Sequence, residues 1–150
     1  MSNIKEGIAF EREFCELLGS RGFWVHRLSQ NAAGQQPADV IAIKDGYHTL
    51  IDCKLCSTKN GFRFSRAEDN QRNAMALFEK RGWHSCWFAL KLPDGQIRML
   101  KHSWIPVYEK LGWKGISPTD MESLTMTFEQ WLEQIKNEDN DFKHDQDTES

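Results

Sequence analysis

A chain of 150 residues with 39% apolar and 27% charged side chains has the composition of one globular domain with a real core. No apolar run approaches the roughly 20 residues a membrane span needs, and Met1 to Gly7 lacks the apolar stretch of a secretory signal. The expectation is a cytoplasmic protein. The formal charge of -3 is unevenly spread: residues 137–150 hold Glu138, Asp139, Asp141, Asp145, Asp147 and Glu149 against Lys143 alone. The body at 1–136 is therefore slightly positive, which suits a nucleic-acid partner.

In chain order, residues 3 to about 20 read as an amphipathic helix ending before Gly22. Phe23 to Leu28 reads as a strand, and Ser29 to Pro37 as a polar loop. Asp39 to Ile43 and Tyr47 to Leu55 read as two strands joined by the turn Asp45-Gly46. Ser57 to Ser65 is a loop, and Arg66 to Arg81 a helix stopping before Gly82. Trp83 to Leu92 and Gln96 to Leu100 read as strands around Pro93-Asp94-Gly95, with a short helix near Ile105 to Lys110. Thr127-Phe128-Glu129-Gln130 has capping-box form and starts a helix to about Lys136. The acidic stretch 137–150 reads as a disordered tail. The predicted fold is a single α/β (α+β) domain of order αβββαββ plus a C-terminal helix, with a mixed central sheet flanked by helices.

Within this frame, charged residues stand where apolar ones belong. Glu11 shares its helical face with Ile4, Gly7, Ile8, Phe14, Cys15 and Leu18, whereas Glu13 and Glu16 fall on the other side. Glu11 alone is equally well explained by snorkelling or by pairing with Arg27. Asp39 precedes the turn by six residues and Asp52 follows it by six, so a tight hairpin brings them together. Strand alternation puts Asp52 and Lys54 on one face and Cys53 on the other. Gln71 lies among Ala67, Ala74, Met75 and Phe78 at helical spacing, so its amide needs a partner inside.

Converging carboxylates require a cation. Mg²⁺ takes a few carboxylate oxygens, a carbonyl and water, and Glu11, Asp39, Asp52 and the Cys53 carbonyl supply such a set. Mn²⁺ is the natural substitute. The chemistry this favours is metal-assisted phosphodiester hydrolysis, with Lys54 beside the reacting phosphate and Gln71 as an accessory polar group. Without a metal, the same residues are a buried Asp–Lys pair. Cys53-x-x-Cys56 lacks the second pair of a zinc site, and Cys15, Cys53 and Cys86 read as small core residues.

The stretches Gly7-x-x-x-Glu11-Arg12-Glu13, Pro37-Ala38-Asp39 and Asp52-Cys53-Lys54 together resemble the PD-(D/E)XK nuclease superfamily. The first is similar to archaeal Holliday-junction resolvases. Phe62-x-Phe64 with Asp69-Asn70-Gln71-x-x-Ala74-Met75 resembles bacterial and phage resolvases of RecU type. The likeness covers about residues 5 to 100. It implies Glu11, Asp39 and Asp52 as metal-centred acids, Lys54 as the catalytic lysine and Gln71 as accessory. It also implies a homodimer cutting a four-way DNA junction to leave 5′-phosphate and 3′-hydroxyl ends. The third acid is Asp52 where many resolvases carry Glu, and the loop before Asp39 is longer than in the archaeal enzymes.

Lys5, Arg12, Arg27, Lys59, Arg63, Arg66 and Arg72 flank these segments and are the candidate phosphate contacts. Phe62 and Phe64 either wedge bases or pack a loop. Two other readings share the residues: a restriction-like or repair nuclease acting on duplex, flap or single-stranded DNA, and a non-catalytic module binding nucleic acid or protein.

Overall fold

A computed structural model describes residues 2–28 and 36–148, with side chains described for 4–28 and 36–138. Helix α1 (Ser2–Ser20) leads into strands β1 (Trp24–Arg27), β2 (Val40–Lys44) and β3 (Tyr47–Leu55). After β4 (Phe62–Arg63) and a 3₁₀ turn come α2 (Asp69–Gly82), β5 (Trp87–Lys91) and β6 (Ile97–Lys101). The chain closes with α3 (Trp104–Lys110), β7 (Gly115–Ile116), α4 (Met121–Leu124), β8 (Met126–Thr127) and α5 (Phe128–Thr148). Residues 29–35 of the polar loop lie outside the described residues.

The main sheet has the order β1-β2-β3-β5-β6-β8, and only β3 and β5 run parallel. The β2–β3 hairpin forms because Asp45 and Gly46 both adopt positive φ, 51° and 90°, which matches the twist of the flanking strands. Helices α1 and α5 cover one face, burying Phe10, Phe14, Leu18, Ile51, Trp87 and Trp131. Helix α2 and the α3–α4 segment cover the other, over Leu50, Phe64, Met75, Phe88, Leu90 and Ile105. Each fully buried large side chain stabilises by about 1.5–3 kcal/mol, so this two-sided burial is what holds the strands that carry the polar residues.

Several elements differ from the sequence reading. Trp83 opens no strand: it is the left-handed C-cap of α2, with φ 70°, and the strand begins at Trp87. Short strands β4, β7 and β8 and helix α4 carry too few residues for a periodic signal. Phe62 and Phe64 are buried, so they pack the loop onto the core and present no wedge to DNA. Helix α5 starts at the expected box, with Thr127 N–H donating to Gln130 Oε1 at 2.8 Å and Gln130 N–H to Thr127 Oγ1 at 3.0 Å. It then continues to Thr148 instead of giving way to a disordered tail near Lys136. One reason is tertiary: the Glu138 carboxylate accepts the Ser85 N–H at 2.7 Å, tying the helix to the entry of β5.

Candidate active site

The hairpin register pairs Val40 with Ile51, and the Asp39 N–H still donates to the Ile51 carbonyl at 3.2 Å. One step further, Asp39 stands opposite Asp52 and the two strands part. β3 continues to Leu55 paired only with β5. The Cys53 N–H, which faces the side β2 has left, is taken instead by Asp39 Oδ2 at 2.8 Å. Because N–H and C=O of one strand residue point the same way, the Cys53 carbonyl also faces that gap. The fork thus opens a cleft without orphaning its backbone donor.

The cleft has a volume of about 550 Å³ and is lined by Glu11, Asp39, Asp52, Cys53, Lys54 and Gln71, with Ile4, Ile8 and Arg27 at its rim. All five side chains singled out in the sequence meet here. Asp52 is 0% exposed. Its Oδ2 lies 3.1 Å from Lys54 Nζ, off the direction of a good hydrogen bond, and its Oδ1 accepts from Gln71 Nε2 at 3.0 Å. Glu11 faces Arg27 at 3.4 Å. The pairing that sequence alone offered as an alternative for Glu11 is therefore present, within the cleft.

Helix α2 fixes Gln71 from both ends of its amide. Glu68 caps the helix: its carboxylate accepts the Gln71 N–H, while its own N–H donates to Gln71 Oε1 at 3.4 Å. With the oxygen engaged there, the amide nitrogen is the end left for Asp52. Asn70 Nδ2 donates to the Gln36 carbonyl at 3.4 Å, linking the same turn to the chain just before Asp39. Glu68 and Asn70 were not legible as site residues, because capping and loop clamping leave no apolar-periodicity signal.

The carboxylates are held against their charge. Burial, and then the Asp39 side chain, raises Glu11 to about 7. Burial, and then the Asp52 charge, raises Asp39 to about 6. Asp52 is also raised, by burial, with Lys54 opposing. Three crowded acids short of positive charge, one with a buried oxygen that receives no hydrogen bond, are a donor set suited to a hard divalent cation. Among the described residues no three His, Cys, Asp or Glu side chains already close on one metal point. Arg27 and Lys54 draw Glu11 and Asp52 toward themselves instead.

The predicted phosphate contacts separate. Arg27 stays in the cleft wall. Arg63 and Arg72 line a neighbouring groove, where Arg72 is paired with Glu109 at 2.7 Å. Arg66 donates to the Leu55 carbonyl, while Lys5, Arg12 and Lys59 are exposed. Trp24 and Trp83 are exposed, whereas Trp87 and Trp131 are buried.

The sequence model of the archaeal Holliday junction resolvase (Hjc) family matches residues 2–137. No curated protein matches. Among solved structures, the Hjc Holliday junction resolvase of Archaeoglobus fulgidus superposes with a TM-score of 0.61 at 19% identity, covering 81% of this chain and 95% of that one. That likeness concerns the fold: a mixed sheet between helices.

Proposed function

We propose, for a chain that belongs to the archaeal Holliday junction resolvase (Hjc) family, that the cleft at the β2–β3 fork hydrolyses phosphodiester bonds in four-way DNA junctions. The family is one of metal-dependent, structure-selective DNA endonucleases, and the chain is an enzyme of that class. Mg²⁺ is the metal in this reading, with Mn²⁺ able to replace it.

The observation that carries the reading is the setting of Asp52. A fully buried carboxylate lies between Lys54 and Gln71, directly across the fork from Asp39. A purely structural ion pair has no use for a second acid facing it and a third, Glu11, on the adjoining helix. Glu11, Asp39, Asp52 and the Cys53 carbonyl would hold the ion. When bound, it supplies Lewis-acid stabilisation of the scissile phosphate and acidifies water. The chain's own groups do the rest. Asp39 fixes the Cys53 backbone, Gln71 orients Asp52, Arg27 orients Glu11, and Lys54 places a positive charge where the phosphate gains negative charge.

Two symmetric incisions in a junction suit a C₂ homodimer, which we include in the proposal. No helix among the described residues is long and apolar enough to cross a membrane. A cytoplasmic location beside DNA accords with the reading.

The test is a cleavage panel of four-way junction, linear duplex and single strand with Mg²⁺, run with Asp52→Asn as control. The expected result is preferential junction cutting. Asp52→Asn should lose activity by at least about 100-fold while still binding the junction. Wild-type rates in that variant would remove the site assignment, and preference for linear DNA would remove the junction substrate.

A further inference from the structure

A second groove, of about 820 Å³, opens beside the cleft and is separated from it by Glu68, which lines both. One wall of it is built where β4 meets β7. β4 pairs with β7, placing Phe62 opposite Ile116 and Arg63 opposite Gly115. The two segments lie so close that a Cβ on Gly115 would stand 2.6 Å from the Phe62 carbonyl oxygen. Phe64 N–H donates to the Lys114 carbonyl at 3.0 Å, adding a further bond to the pairing. Arg63 and Lys114, one on each of the two segments, are both exposed and both line this groove.

Trp113 stands at the same rim, 40% exposed, on a rigid aromatic support. Its ring lies against Tyr108 with centroids 5.6 Å apart, and Tyr108 stacks on Phe64 at 6.3 Å. Phe64 meets Phe62, and Phe62 meets Phe88, which is the register partner of Asp52 across β3 and β5. The indole is thus anchored to the strand pair beneath the cleft.

We propose that this groove holds one DNA strand where it leaves the cleft, with its phosphates on Arg63 and Lys114 and one base on the face of Trp113. The proposal rests on the nuclease reading of the adjoining cleft. Its support is a combination of features in the groove beside the cleft: two cations, an exposed aromatic face already packed on Tyr108, and Glu68 shared with the cleft. The groove also carries acids. Glu109 is paired with Arg72 through two bonds, at 2.7 and 3.3 Å, and the Glu68 carboxylate accepts the Gln71 N–H in the α2 cap while keeping its charge. Asp69, in the first turn of α2, lines the same groove. Arg63 and Lys114 are the cations that this wall offers to phosphates.

The experiment measures binding of a four-way junction by full-length Asp52→Asn protein, alone and carrying Trp113→Ala, Trp113→Tyr or the pair Arg63→Gln with Lys114→Gln. Thermal melting confirms that each variant is folded. Trp113→Ala should weaken junction binding roughly tenfold, and Trp113→Tyr should restore most of it, since stacking needs only a flat ring. The Arg63/Lys114 pair should weaken binding and lower the salt dependence by about two phosphate contacts. Folded variants with wild-type affinity and salt slope would overturn the groove while leaving the cleft's function intact. Wild-type protein that neither binds nor cuts any DNA would overturn the function itself, and the groove with it.

Discussion

Gln71 donates from Nε2 to Asp52 Oδ1 at 3.0 Å, so a helix packed on one face of the sheet reaches the buried acid of the strand beneath it. The contact joins two levels of the structure. The capping box of α2 sets the orientation of the amide, and the amide sets the position of a carboxylate with no access to water.

Gln71→Ala should therefore act on Asp52 and not merely on α2. Losing a bond to an ionised acceptor is worth about 1.5–3 kcal/mol, which predicts a roughly 10- to 100-fold lower rate of junction cleavage. Glu68→Ala should reduce the rate less and cost about 1 kcal/mol of stability through the lost cap. Single-turnover kinetics and denaturant unfolding separate the effects. Equal and small rate losses in the two variants would break the proposed relay from cap to amide to acid.

The raised acids give a signed pH dependence. The folded pKa of Glu11, about 7, and of Asp39, about 6, lie above their ordinary values of 4.5 and 3.8. The native state therefore holds these protons to higher pH than the unfolded chain does. Metal-free protein is favoured by this cluster below about pH 4 and loses that contribution as pH rises through 6 to 7. Glu11→Gln should remove part of the loss, on the order of 1 kcal/mol near pH 8 in chelator, since solvent screens this partly exposed group. Metal works against the same deficit, so Mg²⁺ should raise Tm more at pH 8 than at pH 5. Melting curves with and without metal check both, and a wild-type minus Glu11→Gln difference that is flat with pH would contradict the assignment.

Among the described residues, Lys54 is the cation paired with Asp52. Lys54→Met leaves a fully buried carboxylate facing Asp39 without it. Breaking a buried pair by removing one partner costs about 3–5 kcal/mol, and the Gln71 bond and protonation of Asp52 reduce that figure. The expected loss in chelator is about 2–3 kcal/mol at pH 8 and smaller at lower pH, because burial raises Asp52 and a protonated acid needs no cation. Urea unfolding as a function of pH measures it.

The start of α5 offers a control far from the cleft. Thr127→Ala removes the oxygen that accepts the Gln130 N–H, at a cost of about 1 kcal/mol and a fall in Tm of about 2–4 °C. Junction cleavage should be unchanged. A large loss of activity here would mean that α5 contributes to the site in a way its position on the opposite face does not suggest.

The chemistry-bearing residues were legible because each depends on a local period. Helical phase alone picks out Glu11 over Glu13 and Glu16, and Gln71 from an apolar face. The turn Asp45-Gly46 sets the register that brings Asp39 opposite Asp52, and strand alternation keeps Lys54 on the same side. Spacing and turn chemistry are properties of neighbouring residues, so they survive in a bare sequence.

What the sequence left open depends on contacts between distant segments. That β2 leaves β3 just where Asp39 can take the Cys53 N–H follows from β3 finding a parallel partner, β5, beyond a whole helix. That Phe62 and Phe64 go inside while Trp113 goes to a groove rim follows from β4 meeting β7 across some fifty residues of chain. Such pairings are chosen by the burial and hydrogen bonding of the complete sheet, which no single segment's pattern encodes. The sequence by itself determined which acids, lysine and amide form the cleft; the tertiary structure decided how they are held, by a forked hairpin and a capped helix, and what surface lies next to them.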